Sequence, residues 1–305
     1  MPLNPQAKVV VDLMASMGIT LTGPDAAAVR AQLESFPRPE GEPIAHIEDR
    51  TAPGPAGPIP VRVYTPENPS GACLVWFHGG GWVIGSVDGS DFGCRAFANA
   101  SGATVVSVEY RLAPEHKYPA AADDCFAATG WVADNATSFG IDPAKIAVGG
   151  DSAGGNLAAV VAQMAKAAGG PAIGFQLLIY PVTDHDYATP SYTDNASGYL
   201  LTKDSMVWFW NHYLNSPEDG KQSKASPARA GDLSGLPPAL VVTAEYDPLR
   251  DEGEAYGARL REAGVHTEMT RYPGQIHGFY GNVAIDDGRK AILQGANALN
   301  RALGG

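Results

Sequence analysis

The residues with the clearest chemical potential surround one serine, Ser152, in the sequence Gly-Asp-Ser-Ala-Gly at residues 150–154. The apolar run over residues 146–148 predicts a buried strand before it, and the alanine-rich run that follows predicts a helix. A serine at such a corner has a strained backbone, and the positions two before and two after it must be small because strand and helix nearly touch. Gly150 and Gly154 meet this requirement. We therefore interpret the stretch as a nucleophile elbow with Ser152 as the candidate nucleophile.

The motif alone is weak, because a glycine-rich turn with a solvated serine has the same letters. A serine nucleophile needs a base that takes its proton, and in folds with this elbow the chain order is serine, acid, histidine. Four histidines follow Ser152. His185 and His212 fall in a segment that breaks the strand–helix alternation, and His266 lies at the start of a predicted strand. His277 follows the last predicted strand, on the same rim as the serine, and is the candidate base.

The candidate acid is Asp247, which comes just after a predicted strand over residues 239–244 and just before Pro248. Proline disfavours helix at the residue before it, so Asp247 is kept out of the helix that follows. Asp251 and Glu252 are the alternatives. Because both belong to that helix, we expect them to face solvent or to pair locally with an arginine.

A glycine-rich loop, His-Gly-Gly-Gly-Trp at residues 78–82, follows a fully apolar predicted strand over residues 73–77. Such a loop could be merely flexible, but its position directly after a buried strand favours a functional role. Consecutive glycines leave the backbone free to aim N–H groups at a developing negative charge. The candidate oxyanion-hole donors are the backbone N–H groups of Gly79, Gly80 and Ala153.

The segment between about 183 and 236 is unusually aromatic, above all over residues 206–210. Its aromatic side chains could pack the core of one helix or form the apolar wall of a lid, and the two interpretations are compatible. Asp151 either caps the elbow helix or tunes the charge of the site. The candidate substrate-binding residues are Trp82, Asp151, Tyr180, Tyr199, Leu200, Trp208 and Phe209.

The composition limits the other classes of function. The 305-residue chain is 45% hydrophobic and carries a formal net charge of −12, which argues against binding to nucleic acid and to anionic membranes. Three cysteines without a C-x-x-C pair indicate buried thiols in a reducing compartment. No signal-peptide core and no run of about 20 apolar residues is found. We expect a cytoplasmic protein without stable membrane association, and neither a metal nor a cofactor is predicted.

Strands alternate with helices along most of the chain, which predicts an α/β fold with a parallel sheet covered on both faces. Together with this order, five motifs closely resemble the hormone-sensitive-lipase-like (bacterial family IV) esterases of the α/β-hydrolase superfamily. The motifs are HGGG at 78–81, YRLAPE at 110–115, GDSAGG at 150–155, DPLRDEG at 247–253 and HGF at 277–279.

The resemblance implies an α/β-hydrolase fold, with an eight-stranded, mostly parallel sheet whose second strand is antiparallel. It implies a helical cap built from residues 1–40 and from an insertion at 183–236, so that the hydrolase core comprises residues 41–182 and 237–305. It assigns Ser152, Asp247 and His277 as the catalytic triad, in agreement with the choice made from the residues. It also suggests a homodimer joined through the edge strand near residues 265–272.

The resulting prediction is a serine carboxylesterase that hydrolyses small-molecule esters of short to medium chain length through an acyl-enzyme. A short aromatic cap favours acyl chains of about two to eight carbons. A lactone, carbamate or amide hydrolase with the same triad is the alternative, since specificity depends on the pocket rather than on the fold. A non-catalytic small-molecule receptor on the same scaffold is disfavoured because His277 is present. The physiological ester, the enantiopreference and the mobility of the cap are not specified by the sequence.

Overall fold

The computed structural model describes residues 2–36 and 38–304. Its strands are β1 (His46–Gly54), β2 (Gly57–Thr65), β3 (Cys73–Phe77), β4 (Thr104–Val108), β5 (Ile146–Asp151), β6 (Phe175–Ile179), β7 (Ala239–Tyr246) and β8 (Thr267–Ile276). Its α-helices are α1 (Pro5–Ser16), α2 (Ala26–Glu34), α3 (Val87–Ser101), α4 (Ala120–Asp134), α5 (Ala153–Ala168), α6 (Pro190–Asp194), α7 (Lys203–Tyr213), α8 (Arg250–Glu262) and α9 (Asp286–Leu303).

The strands form one eight-stranded sheet in the order β1-β2-β4-β3-β5-β6-β7-β8. Strand β2 is antiparallel to both of its neighbours, and all pairs from β4 to β8 are parallel. This arrangement confirms the predicted α/β-hydrolase fold. Because parallel strands end at the same edge of the sheet, the loops after β3, β5, β7 and β8 meet at one rim. Phe77 pairs with Gly150, so the glycine-rich loop and the elbow leave the sheet side by side.

Helices cover both faces of the sheet, because the side chains of its central strands are buried on both faces. Every residue of β3, β4 and β6 is buried. One face packs against α4, α5 and α8, and the other packs against α3 and α9. Burial on both faces is typical of parallel sheets and fixes the strand ends that carry the candidate site.

Two local predictions differ from the structure. The run of prolines and glycines at 53–58 predicts a turn, but β1 continues through Gly54 and β2 starts at Gly57, so the turn comprises only two residues. Gln275 and Ile276 are predicted to lie in a loop but belong to the end of β8, where both are buried. In both places backbone pairing in the sheet extends further than the local pattern indicates.

The predicted cap segments contain short helices rather than strands. Residues 183–236 hold α6, α7 and two 3₁₀ turns, and the indole nitrogen Nε1 of Trp208 on α7 donates to the carbonyl of Gly23 over 3.1 Å. Helix α7 therefore touches the N-terminal segment. The division into cap and core remains a prediction. In the described part of the chain, no helix has the length and apolar character needed to cross a bilayer.

Candidate active site

The elbow has the strained geometry that its sequence predicts. Ser152 lies between the end of β5 and the start of α5, with φ of +56°, a region that side-chain-bearing residues rarely adopt. A Cβ atom at Gly154 would overlap the carbonyl of Phe77, and one at Gly150 would overlap the backbone of Gly154. Only glycine therefore permits the close approach of strand and helix that lifts the Ser152 side chain above the rim.

Three side chains that are far apart in the sequence meet at this rim. The Oγ atom of Ser152 is 3.0 Å from Nε2 of His277, and Nδ1 of the same imidazole is 2.7 Å from Oδ2 of Asp247. Asp247 is fully buried, whereas Ser152 and His277 each keep 7% of their surface exposed. A hydroxyl, an imidazole and a carboxylate in this order can transfer a proton from the hydroxyl to the imidazole.

The backbone around Asp247 holds its carboxylate in place. Its Oδ1 atom accepts a hydrogen bond from the N–H of Leu249 over 2.8 Å, which leaves Oδ2 for the imidazole. The side-chain amide of Asn195 donates to the carbonyl of Asp247 over 3.2 Å. Helix α8 begins only at Arg250, as expected from Pro248. Asn195 is a supporting residue that the sequence analysis missed, since no motif marks it.

The two alternative acids have structural partners instead. Asp251 pairs with Arg250 over 2.7 Å, as expected, and also accepts from the N–H of Ser191. The expectation for Glu252 is wrong, because this side chain is buried. Its Oε1 atom accepts from the N–H groups of Thr183 over 2.6 Å and of Asp184 over 3.3 Å, and burial raises the pKa of the carboxyl group well above its usual value. Glu252 thus attaches α8 to the start of the 183–236 segment.

The structure of the glycine-rich loop changes one of the three candidate oxyanion donors. The N–H of Gly79 donates to Oδ1 of Asp151 over 2.9 Å, so its single proton is not free for a substrate oxygen. Within the described residues, the N–H groups of Gly80, Gly81 and Ala153 donate no hydrogen bond. Gly81 therefore replaces Gly79 among the candidate donors. The sequence could not distinguish them, because all three glycines look alike before the loop is folded.

Asp151 does not cap the elbow helix, since no side chain caps α5. Instead it binds the loop at Gly79, and it faces His277 closely enough for the imidazole to lower its pKa. Burial outweighs that effect and raises the pKa of Asp151 to about 6. The carboxylate thus contributes negative charge beside the imidazole.

Buried side chains support the loop from below. The Tyr110 hydroxyl donates to the carbonyl of His78 over 2.7 Å, and the two rings stack 4.2 Å apart. Nδ1 of His78 lies 2.8 Å from the carbonyl oxygen of Gly79, and burial lowers the pKa of the imidazole to about 4. His78 is therefore neutral near pH 7, and its ring serves loop packing. These contacts give the HGGG and YRLAPE motifs a common structural purpose.

The predicted pocket residues separate into two groups. Tyr180, Leu200 and Phe209 lie at the site: the Tyr180 ring centroid is 4.4 Å from that of His277, Leu200 contacts the position of Gly278, and the Phe209 ring lies against Gly81. The half-buried ring of Tyr199 packs on Tyr246, which directly precedes Asp247, with ring centroids 4.9 Å apart.

The prediction for Trp82 is wrong. Its side chain is fully buried. Its ring stacks on Tyr213, with centroids 4.2 Å apart, and lies 4.5 Å from the ring of Trp210, so it belongs to the core below the loop. Nε1 of Trp208 donates to the carbonyl of Gly23, so this ring lies where the two predicted cap segments meet. In both cases an aromatic residue next to a functional motif packs against the supporting structure.

A cavity of about 560 Å³ adjoins the loop and reaches Gly79, Gly80 and Asp151. Its other walls come from the N-terminal segment, from the first turns of α3 and from the chain after His277. Of the seven predicted pocket residues, only Asp151 lines it. The N-terminal contribution was missed except as part of a predicted cap, since no motif marks it.

Comparisons with known proteins show which family this chain resembles. A family model described as the alpha/beta hydrolase fold matches residues 74–281. The carboxylesterase NlhH of Mycobacterium tuberculosis is 43% identical over 312 residues, which cover 99% of this chain and 96% of that protein. The ethyl acetate hydrolase of Pseudomonas putida is 39% identical over 252 residues, which cover 80% of this chain and 79% of that protein.

Among solved structures, a hyperthermophilic esterase from the archaeon Pyrobaculum calidifontis superimposes with a TM-score of 0.92 at 45% identity, covering 99% of both chains. The family model spans well over half of the chain, and the relatives match nearly all of it. The predicted family is thereby confirmed: this chain belongs to the α/β-hydrolase superfamily, in its hormone-sensitive-lipase-like branch of esterases.

Proposed function

We propose that this protein is a serine carboxylesterase in which Ser152 is the nucleophile, His277 the general base and acid, and Asp247 the residue that orients the imidazole. The observation that carries the proposal is the continuous chain of contacts from Ser152 Oγ to His277 and on to Asp247, at 3.0 and 2.7 Å. Relatives named as carboxylesterases, at 43% identity over nearly the whole chain, support the ester as the bond that is cleaved.

The reaction follows from these positions. Ser152 attacks the ester carbonyl carbon while its proton passes to Nε2 of His277, and the carbonyl oxygen becomes an oxyanion. The free N–H groups of Gly80, Gly81 and Ala153 stabilise that charge. His277 then protonates the departing alcohol as the acyl-enzyme forms. Water repeats the sequence on the acyl-enzyme, releases the carboxylic acid and restores the serine.

The size of the cavity beside the loop supports short to medium acyl chains. A cavity of about 560 Å³ lies in the usual range of small-molecule sites, roughly 300–1,000 Å³. One relative is named as an ethyl acetate hydrolase, which supports small esters as substrates of this branch. We therefore propose acyl chains of about two to eight carbons, delivered from solution.

Two other functions would use the same scaffold. A lactone, carbamate or amide hydrolase would need the same triad, and only the substrate distinguishes it. A receptor without catalysis would have no need for the bonded serine–histidine pair. The contact between Ser152 and His277 therefore favours a hydrolase.

A panel of p-nitrophenyl esters from acetate to palmitate, with amide, carbamate and lactone counterparts, tests this proposal. We expect the highest kcat/KM between about C2 and C8, and a loss of at least 100-fold in Ser152→Ala, since removing a triad member costs several powers of ten. Ser223→Ala, at an exposed serine outside the site, is the matched control and should keep full activity. A peak at C14 or longer would contradict the proposed chain length, and full activity in Ser152→Ala would contradict the mechanism.

The predicted homodimer stays a proposal. Strand β8 is an edge of the sheet, and an unpaired edge can add a strand from a second copy. Size-exclusion chromatography with light scattering tests it, and a monomer over a wide range of protein concentrations would contradict it.

A further inference from the structure

The chemistry of the cavity beside the oxyanion loop indicates what kind of ester it binds. The cavity is lined by Gly79, Gly80 and Asp151, the residue directly before Ser152, and a substrate group that extends past the glycine-rich loop would enter it. The inference drawn from this cavity rests on the proposed esterase function and concerns the substrate group that enters it.

Two carboxylates line this cavity, those of Asp151 and Glu109. Asp151 accepts from the N–H of Gly79, and Glu109 accepts from the N–H of Val87 over 2.6 Å. Neither forms an ion pair with any residue that the structure describes. Burial raises the pKa of both groups, to about 6 for Asp151. Both negative charges are therefore poorly solvated, and a cation in the cavity would stabilise them.

The basic residues nearby are already neutralised. Arg30 lines the cavity but binds Glu115 over 2.8 Å and donates to the carbonyls of Val83 and Ala113. Arg38 also lines it and pairs with Asp88 over 3.1 Å.

Arg62 faces Glu109 from β2, but its guanidinium group is bound to Asp49 and Asp88. A third carboxylate, that of the exposed residue Glu34, lies on the cavity wall. Because these arginines are paired with other carboxylates, the cavity wall presents a net negative charge to a ligand.

Four aromatic side chains also line the cavity: Phe36, Trp76, Phe92 and Tyr280. Trp76 and Tyr280 are stacked, with ring centroids 5.7 Å apart. The faces of aromatic rings carry partial negative charge and attract ammonium groups, most strongly where water is excluded. Unpaired carboxylates combined with aromatic walls are complementary to an organic cation and unfavourable for an anionic group.

We propose that this cavity binds an ammonium group of the substrate, so that esters with a quaternary or protonated amine are preferred over neutral esters of the same shape. The amine belongs to the alcohol or to the acyl part of the ester. The bond that is cleaved, the nucleophile and the acyl-enzyme are those proposed above. The negative walls also predict poor turnover of half-esters of dicarboxylic acids.

Matched pairs that replace N⁺ by carbon test the proposal directly. Acetylcholine against 3,3-dimethylbutyl acetate probes the alcohol side. The p-nitrophenyl ester of 4-(trimethylammonio)butanoate against that of 5,5-dimethylhexanoate probes the acyl side. We expect kcat/KM to favour the cation about tenfold in at least one pair. Equal rates, or a preference for the carbon analogue in both pairs, would overturn the proposal.

The variant Glu109→Gln removes one cavity charge and keeps an oxygen that can accept from Val87. It should reduce the cation preference, measured as the ratio of kcat/KM within each matched pair, to about twofold or less, and a common effect on both esters of a pair cancels in that ratio. Glu218→Gln, at an exposed glutamate distant in sequence and outside the cavity lining, makes the same change of charge and should leave the preference intact. A preference unaffected by Glu109→Gln would show that the cation binds elsewhere and would overturn the assignment.

A binding measurement separates this inference from the esterase proposal. Calorimetry with tetramethylammonium should detect binding to the native protein that weakens several-fold in Glu109→Gln, with tert-butanol as the neutral counterpart. If no ester is hydrolysed but tetramethylammonium binds in this way, the proposed function fails and the cation site stands. If esters are hydrolysed but tetramethylammonium does not bind, the cation site fails and the proposed function stands.

Discussion

The backbone N–H of Gly79 donates to Oδ1 of Asp151 over 2.9 Å, which ties the glycine-rich loop to the residue before the proposed nucleophile. The pairing of Phe77 with Gly150 brings the two segments out of the sheet together, and this hydrogen bond fixes their relative position beyond the sheet. Any side chain at Gly79 would overlap the Asp151 carboxylate. The oxyanion donors and the nucleophile are thus positioned relative to each other by one half-buried carboxylate.

We first predict that Asp151 controls turnover more than substrate binding. Asp151→Ala removes the acceptor of the Gly79 N–H and should lower kcat by about 100-fold, similar to the loss of one oxyanion donor, with a smaller change in KM. Asp151→Asn keeps an oxygen acceptor and should recover about tenfold of that loss. Steady-state kinetics on p-nitrophenyl butyrate measures both, with the exposed Asp12→Asn as control. Wild-type kcat in Asp151→Ala would contradict the positioning role.

The second prediction concerns stability and pH. Because burial raises the pKa of Asp151 from 3.8 to about 6, ionisation of this group opposes folding. Below about pH 4 the carboxyl group is protonated in both states and does not oppose folding. As the pH rises through about 6, the free energy of unfolding falls by up to about 3 kcal/mol, at 1.36 kcal/mol per pKa unit.

Asp151→Asn removes this group from the titration and should therefore be more stable than the wild type at pH 8 and lose that advantage below about pH 4. Urea unfolding across this range measures the difference in unfolding free energy. A difference that does not change with pH would contradict the assignment.

A third prediction concerns Glu252, which the sequence places on the surface and the structure buries. Glu252→Ala would leave the N–H groups of Thr183 and Asp184 without their acceptor, at a cost of about 1–3 kcal/mol each. Glu252→Gln keeps an oxygen acceptor and should cost less than about 1 kcal/mol. Urea unfolding at pH 7 distinguishes them, and Glu262→Ala at the exposed end of α8 is the control. Equal stability of the alanine and glutamine variants would exclude this role.

The fourth prediction concerns Gly81 and Phe209. An alanine at Gly81 would overlap the Phe209 ring and would also have to adopt φ of +58°. Gly81→Ala should therefore lower kcat by at least about 100-fold, whereas the same change in a Phe209→Ala background should cost about tenfold or less. A double-mutant cycle on kcat measures this coupling. Additive effects would show that the ring does not constrain the loop.

The sequence predicts that the three candidate triad residues meet, because each of them lies just after a predicted strand. Ser152, Asp247 and His277 each follow an apolar run, and parallel strands bring such positions to one rim. The structure places these three side chains in contact as the motif order implies.

Contacts that depend on side-chain direction could not be predicted in this way. Gly79 and Gly81 are identical in type, and only the folded loop determines which N–H meets Asp151. Trp82 is adjacent to the loop in sequence, yet the backbone turn directs its ring into the core. Glu252 lies in the first turn of an exposed-looking helix, and only the return of the chain at Thr183 buries it. Tertiary packing decides each of these cases.

The most direct test of the account is the chemical fate of Ser152 during turnover. Rapid mixing with p-nitrophenyl acetate followed by acid quench and peptide mass spectrometry should find one acetyl group on the peptide that contains Ser152, together with a burst of p-nitrophenol. His277→Ala should abolish both signals, because Ser152 then lacks its base. An unmodified Ser152, or an acetyl group on another residue that accounts for the burst, would contradict the proposed nucleophile.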